Sequence, residues 1–485
     1  MDTTEKIILY GAGNRCRVLV DLMDSCDMPI GHIVDSNEKL WGSYIGGHII
    51  ESPDLLSSNS DARICITATS FLALAEIRKR IKLNYNVDDN REISYYNLIL
   101  NLYEKIDIGK LFQPEQVTYL NHVSVIFDCE FGLGLGGIEE WTKGICKEFV
   151  KKGDFSSYIL TNYGDYDIPK ELTNHIIRVD VERDNAFSLN NMKQILNCIS
   201  RYLPCILVTS QPDEVLLAGK ILSSFFGEQV KVVTGIRGGY PEINKSYIDM
   251  ESCTDLYVCV NSAIRKDMIK RGIGQDRIFT MLCPVECSEH LNRTYSTDPS
   301  FPVRIGYAGR LEIEEKRMDL LLKMISELEK MQVNYYLELA GDGRYEKVMH
   351  NYIEQNNLHE KVKLLGRINK NLISKFWSGK DICINISDHE GRSRSTVEAM
   401  ANGAIPVVTE TWGVHDDITD GQNGYIFNVG DYKKAAEKIA LLAKERALLP
   451  EMGRLAHLEI RKKSSMEEHY HFWQNIISIV RRSCT

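Results

Sequence analysis

The run Ile382-Cys383-Ile384-Asn385-Ile386, the loop that follows it through Glu390 to Ser393, and the segment Arg394 to Gly403 constrain this chain more than any other stretch. The apolar run predicts a short buried strand. Val397, Met400 and Ala401 begin a helical apolar period, so the unit is strand, loop, helix. Ala404-Ile405-Pro406-Val407-Val408-Thr409 supplies the next buried strand. A loop of small polar residues running into a helix N-terminus suits an anion, because the first-turn N–H groups lack intrahelical partners and the dipole there is positive. Two carboxylates, Glu390 and Glu398, stand eight positions apart across it. The plainer alternative is that Ser395-Thr396-Val397-Glu398 is only a capping box.

A chain of 485 residues predicts about three domains at ~100–200 residues each. Its apolar fraction of 44% fills full cores, and a formal charge of −9 argues against a nucleic-acid scaffold. None of the 13 cysteines forms a Cys-x-x-Cys pair, and Cys283 and Cys287 lack a second pair for zinc. They read as reduced thiols of a cytoplasmic protein. No secretory h-region and no bilayer-spanning apolar run is present, so any membrane contact is expected to be peripheral, at the inner face of the membrane.

Residues 1–115 read as a unit of their own. Lys6-Ile7-Ile8-Leu9-Tyr10 is a strand, Gly11-Ala12-Gly13-Asn14-Arg15-Cys16 a phosphate-type turn, and Gly31-His32-Ile33-Val34-Asp35 a second strand ending in an acid. That is a βαβ opening with an Asp where a dinucleotide fold contacts ribose, but Cys16 stands in place of the third glycine. A ligand-free structural role is an equal alternative. Residues 120–290 open with the strand Val123 to Asp128, the loop Gly132-Leu133-Gly134-Leu135-Gly136-Gly137 and an amphipathic helix, Trp141 to Phe149. The glycines admit a phosphate or sugar without Cβ obstruction. Asp128 and Glu130 have the spacing of a metal clamp but fall at a strand end, where turn or acceptor roles are favoured. A polar linker, Ser288 to Pro302, leads into residues 303–465. In a last segment, 466–485, Phe472, Ile476, Ile479 and Val480 share one helical face; its basic flanks leave a membrane-surface helix as the alternative.

Glu390 and Glu398, followed by Ala399-Met400-Ala401 and the strand Gly403-Ala404-Ile405-Pro406-Val407-Val408, resemble the signature of the family-4 retaining glycosyltransferases of GT-B architecture. Gly306-Tyr307-Ala308-Gly309-Arg310-Leu311 with Lys316 upstream, and Asp420-Gly421-Gln422-Asn423-Gly424 downstream, extend the resemblance over roughly residues 120–480. It implies an α/β fold of two Rossmann-like domains facing a cleft, residues 120–290 taking the acceptor and 303–465 a nucleotide-sugar donor. The 466–485 helix would cross back onto the preceding domain. Residues 1–115 are similar to the small Rossmann-like domain at the front of bacterial nucleotide-sugar acyltransferases, a third such unit here. Residues 120–485 then hold both halves, so a chain lacking 1–110 is expected to fold.

The resemblance also implies roles. Arg310 and Lys316 would neutralise the leaving diphosphate, Glu390 would meet the transferred sugar, and Glu398 the ribose hydroxyls. Gly136, Gly137, Gly391, Arg392, Ser393, Arg394, Ser395 and Thr396 would line the donor, with Arg367 near the nucleobase. No metal and no cofactor is implied beyond the nucleotide sugar, expected to be UDP-linked; the expected acceptor is a glycan, glycolipid or protein-linked glycan. Four departures stand out. Many relatives carry a histidine where this chain has Gly235-Ile236-Arg237-Gly238-Gly239, so Arg237 is the candidate to replace it as a sugar or phosphate contact. The turn that usually reads Asn-Gly-Val-Asp is Cys283-Pro284-Val285-Glu286, and Arg317 stands where glycine usually follows the lysine. The loop after Glu390 usually has an aromatic or apolar residue and a glycine, where this chain has Arg392 and Ser393, with Arg394 next. Arg392 and Arg394 are expected to need an anion, with at least one contacting a negative group on donor or acceptor. Two alternatives remain: a nucleotide-sugar modifying or NAD-dependent activity centred on Gly11-Ala12-Gly13 and Asp35, and a degenerate scaffold.

Overall fold

A computed structural model describes residues 6–114, 117, 119–129, 132–133, 137–164, 168–238 and 241–482. Glu130, Gly134, Gly136 and Gly239, all singled out by the sequence, lie outside them. Within these residues the chain forms three sheets. The first takes β1 (Ile7–Tyr10), β2 (Ile30–Val34), β3 (Tyr44–Ile45), β4 (His48–Glu51), β5 (Arg63–Ile66) and β6 (Glu92–Ile93) in the order β3-β4-β2-β1-β5-β6. The second takes β7 (Ser124–Cys129), β8 (Ser156–Asn162), β9 (Ile176–Val179), β10 (Cys205–Thr209), β11 (Val230–Ile236), β12 (Leu256–Cys259) and β13 (Ile278–Thr280), ordered β13-β12-β11-β10-β7-β8-β9. The third takes β14 (Val303–Ala308), β15 (Tyr335–Ala340), β16 (Val362–Gly366), β17 (Ile382–Asn385), β18 (Ile405–Thr409) and β19 (Tyr425–Phe427), ordered β16-β15-β14-β17-β18-β19.

Every strand pair is parallel except the β3–β4 hairpin. This explains the continuous apolar strands: helices cover both faces, so β10 and β18 are buried at every residue. The second and third sheets each grow to one side of their first strand and then return to the other. The reversals, between β7 and β10 and between β14 and β17, are where open α/β sheets bind ligands. The fold class read from the sequence is the one observed.

The last helix, Met466–Arg482, buries Tyr470, Trp473, Ile476, Ile477 and Val480 against Phe127, Trp141 and Phe149 of the second sheet's domain. Ile479, expected on the apolar face, is 42% exposed, and Trp473 takes the central place at the i, i+3, i+7 spacing. The apolar face is therefore spent inside the protein, which removes the membrane-surface alternative for this helix. The polar segment before the third sheet is strapped down: Arg293 donates to the Asn402 carbonyl at 2.8 Å, and Tyr295 to that of Gly403 at 3.0 Å.

The front unit shares a core with the second. Tyr95, Tyr96, Leu98, Leu102 and Tyr103 of the helix Tyr95–Lys105 pack in one cluster with Phe187, Met192 and Leu196, and the Tyr103 hydroxyl donates to the Phe187 carbonyl at 2.8 Å. A cut at residue 110 removes that helix and exposes its partners, against the expectation that the remainder folds unaided. Deletion of residues 1–110 should lower the melting temperature or send the chain into aggregates; an unchanged melting temperature in a soluble monomer would show the front unit to be independent.

Candidate active site

Arg310 and Lys316 follow β14, and Glu390 follows β17, so the switch point of the third sheet brings together residues 74 positions apart: Lys316 Nζ lies 2.5 Å from Glu390 Oε1. Ser387 Oγ donates to the same oxygen at 2.9 Å and Asn385 Nδ2 approaches it at 3.4 Å. Oε1 is held by these donors, and no hydrogen bond to Oε2 is seen among the described residues. Asn385 and Ser387 were not singled out by the sequence. The available signal was the interruption of an apolar run by an amide, which a buried strand tolerates only when the amide is hydrogen-bonded.

The two loops are stapled together. Arg317 Nη1 meets both Asp388 oxygens, at 2.9 and 2.8 Å, and the Asp388 N–H donates to the Glu315 carbonyl at 2.8 Å. Arg317 has φ 52° and ψ 48°, the left-handed region that disfavours a Cβ, which accounts for glycine being usual there. Its ion pairs with Asp388 and Asp319 offset that cost. Arg310 is 63% exposed and pairs with Glu315 at 2.7 Å. Arg367 approaches Asp342 at 3.6 Å, on an exposed rim beside Gly366.

The helix Arg394–Ala401 is capped by Ser393, not Ser395: the Ser393 hydroxyl accepts from the Thr396 N–H and is itself held by Asn385 Nδ2 at 2.8 Å. The capping-box alternative is thereby corrected, and Glu398 is released from that role. Thr396 is buried with its hydroxyl on Ser393 at 2.9 Å, so its N–H and side chain serve the cap rather than a ligand. The first-turn N–H groups of Arg394 and Ser395 remain.

Arg392 and Arg394 do find anions, but the chain supplies them. Arg392 is buried in a bidentate pair with Asp417 at 2.7 and 2.8 Å, and also donates to Ser464 and to the Cys283 carbonyl. This corrects its expected role as a donor contact, because four of its five N–H donors are already used within the chain. Arg394 pairs with Glu398 at 2.8 Å, one turn along the same helix. Burial raises the Glu398 ionisation above the usual carboxylate range, with Arg394 and Lys370 opposing it.

A ribose diol held by Glu398, the role that the resemblance implies, would donate to the charged carboxylate. Donor KM should therefore rise as pH is lowered through a window just above the ordinary carboxylate range. Glu398→Gln should lose that dependence and raise KM by roughly 10–100-fold, the equivalent of a hydrogen bond to a charged group. A pH-independent wild-type KM across that window would contradict it. The sign for stability is opposite: with its folded pKa raised, protonated Glu398 contributes stability at low pH that is lost as pH rises through that value.

The facing wall comes from the second sheet. Arg237 follows β11 and lies with its guanidinium 3.6 Å from the Trp141 ring centre. Its own carbonyl sits where a Cβ on Gly391 would come to 2.1 Å, so only glycine fits at the point where the two walls touch. Asn261 Nδ2 donates to the Gly391 carbonyl at 2.5 Å, Ser262 binds Asp416 through N–H and hydroxyl at 2.7 and 2.6 Å, and Lys370 pairs with Glu140. Gly137 begins the helix Gly137–Lys152 with open space beside its Cα. Among the described residues no three His, Cys, Asp or Glu side chains gather as a cation site, and the twelve described cysteines are free thiols.

Residues 297–457 match the family model described as glycosyl transferases group 1. Over 175 residues the chain is 27% identical to the poly(ribitol-phosphate) alpha-N-acetylglucosaminyltransferase of Staphylococcus aureus strain COL, covering 36% of this chain and 35% of that protein. It is 23% identical over 232 residues to the lipopolysaccharide 1,6-galactosyltransferase of Escherichia coli K12, covering 46% and 63%. Among solved structures, Anabaena HepE in complex with UDP and glucose is similar with a TM-score of 0.60 and 16% identity, over 74% of this chain and all of that one. The fold is GT-B. The chain spans between 35% and 63% of the length of the first curated relatives it matches.

Proposed function

We propose that this chain is a retaining, metal-independent glycosyltransferase that moves a sugar from a UDP-linked donor to a glycan, glycolipid or protein-linked glycan. The observation that carries the reading is the Lys316–Glu390 contact at the switch point of the third sheet, beside the open first turn of the helix that bears Glu398. Residues 297–457 are similar to a glycosyltransferase family, and similar folds have been solved with UDP and sugar, which supports the same assignment.

In the proposed reaction the bond from the anomeric carbon to the β-phosphate oxygen breaks as the acceptor oxygen bonds to the same face. The acceptor proton passes to the departing phosphate, which leaves as UDP. Arg310, Lys316 and the N–H groups of Arg394 and Ser395 stabilise the charge that develops on the phosphates. Glu390, oriented through Oε1, presents Oε2 to a sugar hydroxyl and to the positive charge at the anomeric carbon. In that frame no separate base is required.

A panel of nucleotide sugars, assayed by thermal shift and by slow hydrolysis, tests the reading. A true donor should stabilise the protein by about 2.7 kcal/mol at a hundredfold excess over its dissociation constant and should release nucleotide. In the front unit, the Asp35 carboxylate accepts from the Ala12 N–H at 2.7 Å and the Asn37 N–H at 2.7 Å, occupying a donor that a dinucleotide phosphate would use. This favours a structural role for residues 1–115 over the NAD-dependent alternative; stabilisation by NAD(H) would reverse that preference.

A further inference from the structure

Each cation of the donor wall already has a carboxylate: Arg310 has Glu315, Lys316 has Glu390, Arg317 has Asp388, Arg392 has Asp417 and Arg394 has Glu398. Arg237, on the opposite wall, has none among the described residues. Its partners are the Ser210 hydroxyl at 3.2 Å, the Cys283 sulfur at 3.6 Å and the face of Trp141. A guanidinium does not deprotonate in a protein, and a largely buried charge without a counter-charge is costly. Asp213, for its part, is buried against the Asp128 carboxylate and held well above its usual range by burial first and that neighbour second.

The guanidinium is fixed, and fixed on the acceptor side. It folds back over its own strand, so that a Cβ on Gly235 would come to 3.3 Å from Nη2, and it rests near Ser210 at the end of β10. Trp141 behind it is locked in turn: its N–H donates at 2.7 Å to His469 on the final helix, a buried imidazole kept neutral with its pKa pushed down to about 3 by burial and by the charge of Arg237. Part of the Arg237 surface nevertheless remains open.

We propose that Arg237 is the seat for a second anionic group, a carboxylate or phosphate carried by the transferred sugar or by the acceptor and distinct from the donor diphosphate. The proposal rests on the glycosyl-transfer reading and names the substrate class for the same cleft. A carboxylate or phosphate fits the planar fork in bidentate fashion, which a neutral hydroxyl cannot match.

The test uses the full chain and its Arg237→Gln and Arg237→Lys variants. Affinities for UDP, UDP-glucose and UDP-glucuronate are measured by calorimetry, and those for glucose, glucuronate and glucose 6-phosphate in the presence of UDP. In one arm or the other the wild type should prefer the anionic probe over its neutral counterpart by about tenfold or more. The arm that responds tells whether donor or acceptor carries the charge. Arg237→Gln should bring that ratio close to one, and Arg237→Lys should keep part of it. Ratios below about threefold in both arms, with UDP still binding, would overturn the inference and leave the glycosyltransferase reading intact. A loss of UDP affinity in Arg237→Gln as large as the loss for the anionic probes would also overturn it, by assigning Arg237 to the diphosphate. Failure of every uridine nucleotide to bind the wild type would remove both. Melting curves without ligand distinguish a folding defect from a binding one, with the lysine variant as the check.

Discussion

Glu390→Gln is expected to lower turnover by ~10²–10³-fold, the loss typical of one preorganised electrostatic group at a reacting centre. The amide keeps the size of the side chain and can still accept from Ser387, which stands 2.9 Å from Oε1. It loses the charge that faces Lys316 and the anomeric carbon. Because that charge acts as the glycosyl bond breaks, kcat should fall while the donor dissociation constant changes little. Steady-state kinetics with an equilibrium binding measurement separates the two. A variant with kcat within about threefold of wild type would place the reacting sugar elsewhere.

The second large effect concerns stability. Arg392 and Asp417 form a buried bidentate pair, with side-chain exposures of 4% and 6%, that also ties the donor loop to Ser464 and to the Cys283 carbonyl. Removing one partner strands the other charge, so Arg392→Met and Asp417→Asn should each destabilise the fold by about 3–5 kcal/mol. The double replacement by Met and Leu should cost less than the sum of the single changes, since it leaves no orphaned charge. Urea unfolding measures all three. Single variants within about 1 kcal/mol of wild type would mean that Arg392 is not held as described and would reopen it as a ligand contact.

The strand, loop and helix around residues 382–409 were legible because each carries its own signal: a β-branched apolar run, small polar residues, then a helical period. Other features depend on partners that a local pattern does not reveal. Whether Ser393 or Ser395 caps the helix turns on Asn385, which holds the Ser393 hydroxyl from the preceding strand. The two loop arginines were read correctly as needing anions, yet the one for Arg392 lies on Asp417, 25 positions away, brought close by the β18–β19 connection. In the last helix, the periodicity was read with Ile479 on the inward face, and Trp473 was not named. The ring contacts of Trp473 with Phe127 and Trp141 decide it, and they belong to another domain. The missing histidine was visible, whereas the lack of a carboxylate beside Arg237 could emerge only from the packed structure.

Proton NMR of transfer from a UDP-α-sugar, with EDTA present throughout, reads the stereochemical course and the metal requirement together. Turnover should continue in EDTA, with the first product formed in the α configuration, because attack and departure share one face of the sugar at Lys316 and Glu390. A β-configured first product, or turnover only on adding a divalent cation, would contradict it.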